Sequence, residues 1–142
     1  MLINSENVIS LPMRGGKTTK AIQYLHDAAE LYPNKTHFYI CPSRDRVDNA
    51  KFHYKHLYIQ IPDNVKFISY ARIADLQGHA VGRCCLDEFE RAEICRDILA
   101  IDNFITDSTD TFFFTGESCQ CINARLSMLR SFWFFITRNS NG

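Results

Sequence analysis

The sequence predicts an α/β domain, a mainly parallel central sheet covered by helices on both faces, in three layers. Three observations predict it. Short, nearly uninterrupted apolar runs alternate with segments of helical period along the chain, and strands buried on both faces read as such runs. Turn residues punctuate the succession of segments. The 142 residues hold no internal repeat, low-complexity stretch or linker-like composition, so one domain over residues 1–142 is expected.

The first apolar run, residues 8–11, ends at Pro12 and the pair Gly15-Gly16. Ala21, Ile22, Leu25, Ala28, Ala29 and Tyr32 then recur on one helical face, and Pro33-Asn34 stops that helix. Residues 37–41 form a second strand closed by Pro42. Ser43 is suited to accept a backbone N–H as the N-cap of a polar helix reaching about His56. A third strand is expected at 65–69, then a short helix at 70–76 closed by Gly78. The fourth strand, 83–86, delivers Asp87-Glu88. A helix follows over 92–105, a fifth strand at 111–115 closed by Gly116, a helix at 122–129 and a last strand at 132–137. The aromatics of 112–114 and 132–135 are assigned to core strands.

Composition narrows the function classes. Apolar residues make up 46% of the chain, a globular value, and formal net charge is zero. There is no global basic field to give tight autonomous binding to nucleic acid. No apolar stretch reaches the ~20 residues of a membrane span. Six cysteines are present, and Cys84-Cys85 adjoin inside an apolar run. They read as reduced and mostly buried, and no Cys-x-x-Cys pair suggests zinc. With no secretory signal expected, the protein is placed in the cytoplasm, the host's if the chain is phage-encoded. His26, His37, His53, His56 and His79 form no metal pattern, and His53 and His56, three apart on the predicted helix, are read as surface residues. Arg44, Arg46, Lys51, Lys55 and Arg72 are either a solvated polar face or a phosphate-contacting track.

Two segments carry chemistry. Leu11-Pro12-Met13-Arg14-Gly15-Gly16-Lys17-Thr18-Thr19 follows a strand and opens a helix. Glycines at such a junction let backbone N–H groups turn toward an anion, and the helix N-terminus adds partial positive charge. Gly15, Gly16, Lys17, Thr18 and Thr19 are the candidate phosphate-binding residues. Lys17 would reach the β- and γ-phosphates, and the Thr18 hydroxyl would hold magnesium. The second segment, Arg83-Cys84-Cys85-Leu86-Asp87-Glu88, sends two carboxylates to the carboxyl edge of the sheet. Asp87 would hold magnesium, and Glu88 would polarise an attacking water.

The first segment resembles the Walker A motif of P-loop NTPases at Gly16, Lys17 and Thr18, with Leu11 in place of the first glycine. The second resembles Walker B. Asp87-Glu88-Phe89-Glu90-Arg91-Ala92 is similar to motif II of superfamily 2 helicases and translocases, with Glu90 in place of histidine. Cys41-Pro42-Ser43-Arg44 resembles motif Ia. Ile68-Ser69-Tyr70 with Leu76 resembles the segment after it, and Phe114-Thr115-Gly116-Glu117-Ser118 resembles motif III. Large-terminase ATPases of tailed phages share this core, and Arg14 sits where they often carry an arginine.

The resemblance covers residues 8–137. It implies a RecA-like fold of the additional-strand class, with the 112–115 strand between the 8–11 and 83–86 strands. It further implies ATP and Mg²⁺ as ligands, Thr115 as sensor of the γ-phosphate, and work on nucleic acid, DNA before RNA. A second ATPase lobe or a homo-oligomer neighbour would supply an arginine, with Arg14 as a candidate in cis and Arg125, Arg130 and Arg138 in trans. Two alternatives stand beside it. One is a thymidine-kinase-like nucleoside kinase, whose loop Pro12-Met13-x-x-Gly16-Lys17-Thr18 also resembles, though the paired cysteines of that family's zinc lobe are missing. The other is a nucleotide-binding regulator without turnover that acts through a protein partner.

Overall fold

The computed structural model describes residues 5–12, 16–89, 110–118, 120–121, 123–124 and 127–128. Within them the chain runs β1 (Val8–Ser10), α1 (Lys17–Leu31), β2 (Thr36–Cys41), α2 (Arg44–Tyr58), β3 (Val65–Ser69), a 3-10 segment (Tyr70–Leu76), β4 (Val81–Asp87) and β5 (Asp110–Thr115). The five strands form one sheet in the order β1-β5-β4-β2-β3, and every adjacent pair is parallel. The protein is therefore α/β, as expected. β5 lies between β1 and β4, the position implied for the 112–115 strand. The expected helix at 92–105 and strand at 132–137 lie outside the described residues. Of the expected 122–129 helix, residues 123, 124, 127 and 128 are described and are helical.

Alternation along the strands builds two cores. Cys84 and Cys85 are neighbours in sequence and face opposite sides of the sheet. Phe38, Ile40, Cys84, Leu86 and Phe113 pack on one face against Tyr70, Ile73, Leu76 and Phe89. Tyr39, Cys41, Phe67, Cys85 and Phe114 pack on the other, under Ala21, Ile22 and Leu25 of α1 and Val47, Ala50 and Tyr54 of α2. The predicted face of α1 is the buried one except at its end. Tyr32 caps the helix with non-helical dihedrals and is 46% exposed. Ser43 caps α2 as expected, its hydroxyl accepting the Arg46 N–H at 3.3 Å. Cys41, Cys84 and Cys85 are buried free thiols, whereas Cys121 is exposed. Burial pushes the Cys41 thiol up to about 12, so it stays protonated and unreactive near neutrality.

One histidine is built into the sheet. His37 is fully buried in β2, where the pairing of β2 with β4 shifts register between Thr36 and Phe38. Its ring serves the interrupted ladder. Nδ1 accepts the Arg83 N–H at 2.8 Å, and Nε2 lies 3.1 Å from the Tyr32 carbonyl. The acceptor role of Nδ1 assigns the proton to Nε2, which donates to Tyr32. A charged ring would lose the Arg83 bond. Burial lowers its pKa from 6.5, helped by the charges of Arg83 and Lys35, against the opposing pull of the Tyr32 carbonyl and Asp110. The unfolded chain then binds a proton that the folded chain refuses, so His37's contribution is whole above pH 6.5 and declines as pH falls below it. Thermal melts from pH 7.5 to 5 are expected to show that decline, with a shallower slope in His37→Gln. Equal slopes would show that His37 does not carry the effect.

Candidate functional site

The carboxyl ends of β1, β5 and β4 open on one edge of the sheet, where ligands bind in parallel α/β folds. β1 leads through Leu11 and Pro12 toward α1. Gly16 is the N-cap of α1 with φ +82°, a left-handed conformation that favours glycine. No side chain caps the helix and no acidic residue occupies its first turn. A Cβ built on Gly16 would meet nothing within 4 Å, so the helix N-terminus is sterically open on that side. This is the arrangement in which a helix start receives a phosphate. Arg14 and Gly15 lie outside the described residues.

The acidic strand meets α1 directly. The Thr18 hydroxyl donates to Asp87 Oδ2 at 3.0 Å, joining residues 69 apart in the chain. Asp87 is 3% exposed. Its Oδ1 accepts the Glu88 N–H at 2.9 Å, and its Oδ2 also accepts from the Tyr39 hydroxyl. The Tyr70 hydroxyl donates to its main-chain carbonyl at 2.9 Å. Tyr39 stays a protonated donor, because burial and then the Asp87 charge push its pKa upward.

Glu88 follows with φ +49°, a conformation that costs a non-glycine residue roughly 1–2 kcal/mol. Its Oε1 pairs with Arg46 of α2 at 3.1 Å. Its Oε2 is buried with no hydrogen-bond partner among the described residues. Thr115 is fully buried at the end of β5, level with Ser10 of β1. Its hydroxyl oxygen accepts the Glu117 N–H at 3.0 Å, and its carbonyl accepts the Leu11 N–H at 3.1 Å. The Thr19 hydroxyl instead turns to His53 of α2, 2.9 Å from Nε2. What Thr19 presents to a ligand is thus its backbone N–H.

No family model matches the chain, and no curated protein matches it. The chemistry of the site is read from its own residues. Thr18 and Asp87 offer hard oxygen donors side by side, which suits magnesium. That ion is commonly held by one or two side chains, with substrate phosphates and water completing its shell. Among the described residues no group of three or more His, Cys, Asp or Glu side chains could hold a metal by itself. No described helix is long and apolar enough to cross a membrane.

Tyr39, Tyr70 and the Arg46–Glu88 pair were not foreseen as parts of the site. Tyr39 carried one readable signal, a polar-tipped side chain set between the apolar Phe38 and Ile40. The basic residues left between a solvated face and a phosphate track divide in the fold. Arg46 pairs with Glu88 and Arg72 with Asp75 at 3.2 Å. Lys51 and Lys55 instead line a groove of about 720 Å³ along β3, together with Lys66, Ile59, Ile61 and Phe67. β3 ends the sheet opposite β1, so this groove is separate from the start of α1 and the end of β4.

Proposed function

We propose that the chain is a single RecA-like P-loop domain that binds ATP with magnesium and hydrolyses it, coupled to remodelling of or movement along nucleic acid. The observation that carries the reading is the 3.0 Å contact of Thr18 with Asp87. It joins a glycine-capped helix start to a buried carboxylate, with a second carboxylate next in the chain. In this reading the Gly15 and Gly16 loop and the first N–H groups of α1 cradle the phosphates. Lys17 neutralises the β- and γ-oxygens. Thr18 and Asp87 would hold magnesium, which would supply charge neutralisation for the phosphates. Glu88 accepts a proton from the attacking water as the new oxygen bond to the γ-phosphorus forms. The bond to the bridging oxygen breaks, and ADP leaves. Thr115 reports the presence of the γ-phosphate.

The nucleic-acid partner rests on the resemblance of residues 41–44, 68–76, 87–92 and 114–118 to helicase and terminase motifs. Closure by a second lobe or a neighbouring copy, with a donated arginine, belongs to the same proposal, as does residence in the cytoplasm. One observation favours a second reading. Arg46 occupies one oxygen of Glu88, as suits a nucleotide-binding regulator without turnover.

The deciding experiment compares the purified protein with Lys17→Ala. Mg-ATP at about 100 times its Kd should stabilise the protein by ~2.7 kcal/mol, and Lys17→Ala should lose most of that. Phosphate release is then followed with and without single- or double-stranded DNA. Turnover that rises with DNA and vanishes in Lys17→Ala supports the motor reading. Binding without turnover supports the regulator, and phosphorylation of thymidine would replace both with a nucleoside kinase.

A further inference from the structure

We propose that Tyr39 is a positioning residue for the magnesium site, its phenol holding the Asp87 carboxylate in the orientation that faces Thr18. This rests on the nucleotide-binding reading above. Tyr39 belongs to β2, the strand beside the acidic one, and pairs in register with Cys85, two residues before Asp87. Its side chain is 2% exposed and its ring lies 5.5 Å from that of Phe67. The packed ring leaves the hydroxyl little freedom, and that hydroxyl donates to Asp87 Oδ2.

Among the described residues the carboxylate has three donors, which do different work. The Glu88 N–H holds Oδ1. Thr18 and Tyr39 share Oδ2. A metal would take a lone pair of the Thr18 oxygen and leave its hydrogen able to donate, exchanging the present Thr18–Asp87 geometry for one set by the ion. Tyr39 approaches from the sheet and Thr18 from the loop helix, so Tyr39 is the side-chain donor that keeps Oδ2 in place through that exchange. Outer-shell partners of metal ligands act by such orientation, and their loss typically costs about 10–100-fold in metal affinity. Packing alone does not explain the hydroxyl, since phenylalanine would fill the same space against Phe67. Tyr70 makes a useful contrast. Its hydroxyl holds the Asp87 main chain and leaves the carboxylate free to turn.

The test compares wild type, Tyr39→Phe and Tyr70→Phe. Manganese binding to the protein–ATP complex is read from the EPR signal of the free ion. ATP affinity without metal is measured in EDTA, and melting temperature is recorded for all three. Tyr39→Phe is expected to weaken manganese binding about 10-fold or more, with ATP affinity in EDTA kept within about twofold. Tyr70→Phe should keep manganese affinity near wild type. Equal manganese affinity in wild type and Tyr39→Phe overturns the proposal and leaves the nucleotide reading standing. A parallel loss of ATP affinity in EDTA also overturns it, because a merely structural role moves both. Failure of the wild type to bind ATP or manganese overturns the proposal together with the reading beneath it.

Discussion

Glu88→Gln is expected to keep Mg-ATP affinity within about twofold and to lower turnover by roughly 10²–10⁴-fold, the usual worth of a positioned general base. Glutamine preserves the shape of the side chain and removes its ability to take a proton. The local fold should survive, because the left-handed backbone at residue 88 is held by neighbours. Asp87 Oδ1 accepts its N–H, and Phe89 is fully buried just beyond it. The ion pair with Arg46 would be lost, at small cost. Arg46 is 46% exposed and Glu88 18%, so the pair is open to water on the arginine side, where water and salt screen it. The measurement is single-turnover phosphate release beside equilibrium nucleotide binding. Unchanged turnover would remove Glu88 from the chemistry. Absent turnover in both proteins, with binding intact, would match a carboxylate kept by Arg46 from meeting water.

The same region shows what local sequence makes legible. The glycine pair before a helix and the acids after a strand could be read because each is a local device. A positive-φ cap and a strand end are fixed by a few consecutive residues. The faces of α1, the Ser43 cap and the 3-10 turn before Gly78 were legible for the same reason. The 112–115 strand's place between the others came from family likeness, since hydrophobic period carries no strand order.

What stayed hidden depends on partners far apart in the chain. Tyr39 reaches Asp87 across 48 positions and Arg83 meets the His37 ring across 46. Nothing within a window around Tyr39 or His37 announces those contacts. Arg46 illustrates the other limit. Its charge and its place in the first turn of α2 were visible, but the same pattern suits a phosphate track and an ion pair equally. Only the fold brings Glu88 within 3.1 Å of it. Tyr32 was assigned to the core by period alone, which does not mark the position where the helix stops.

Gly82→Ala is expected to be the most disruptive single-methyl change in the described part of the sheet, although the sequence marks Gly82 only as a residue before an apolar run. A Cβ there would lie 2.3 Å from His37 Cε1 and 2.5 Å from Nδ1. The clash is not with a free side-chain end. The ring is fully buried and is held between the Arg83 N–H and the Tyr32 carbonyl. Moving it aside breaks the bond that substitutes for the sheet ladder at the register shift, and leaves an amide without its acceptor. Overpacking of this kind costs typically about 1–3 kcal/mol, and an orphaned buried donor adds about 1–3 kcal/mol. Urea unfolding would measure the sum. Combining the change with His37→Ala separates the causes. If the ring is the obstacle, the double variant should be more stable than the two single losses added together, since the methyl then enters the space the ring vacates. Strict additivity would place the cost of Gly82→Ala in the backbone of β4 rather than in its contact with His37.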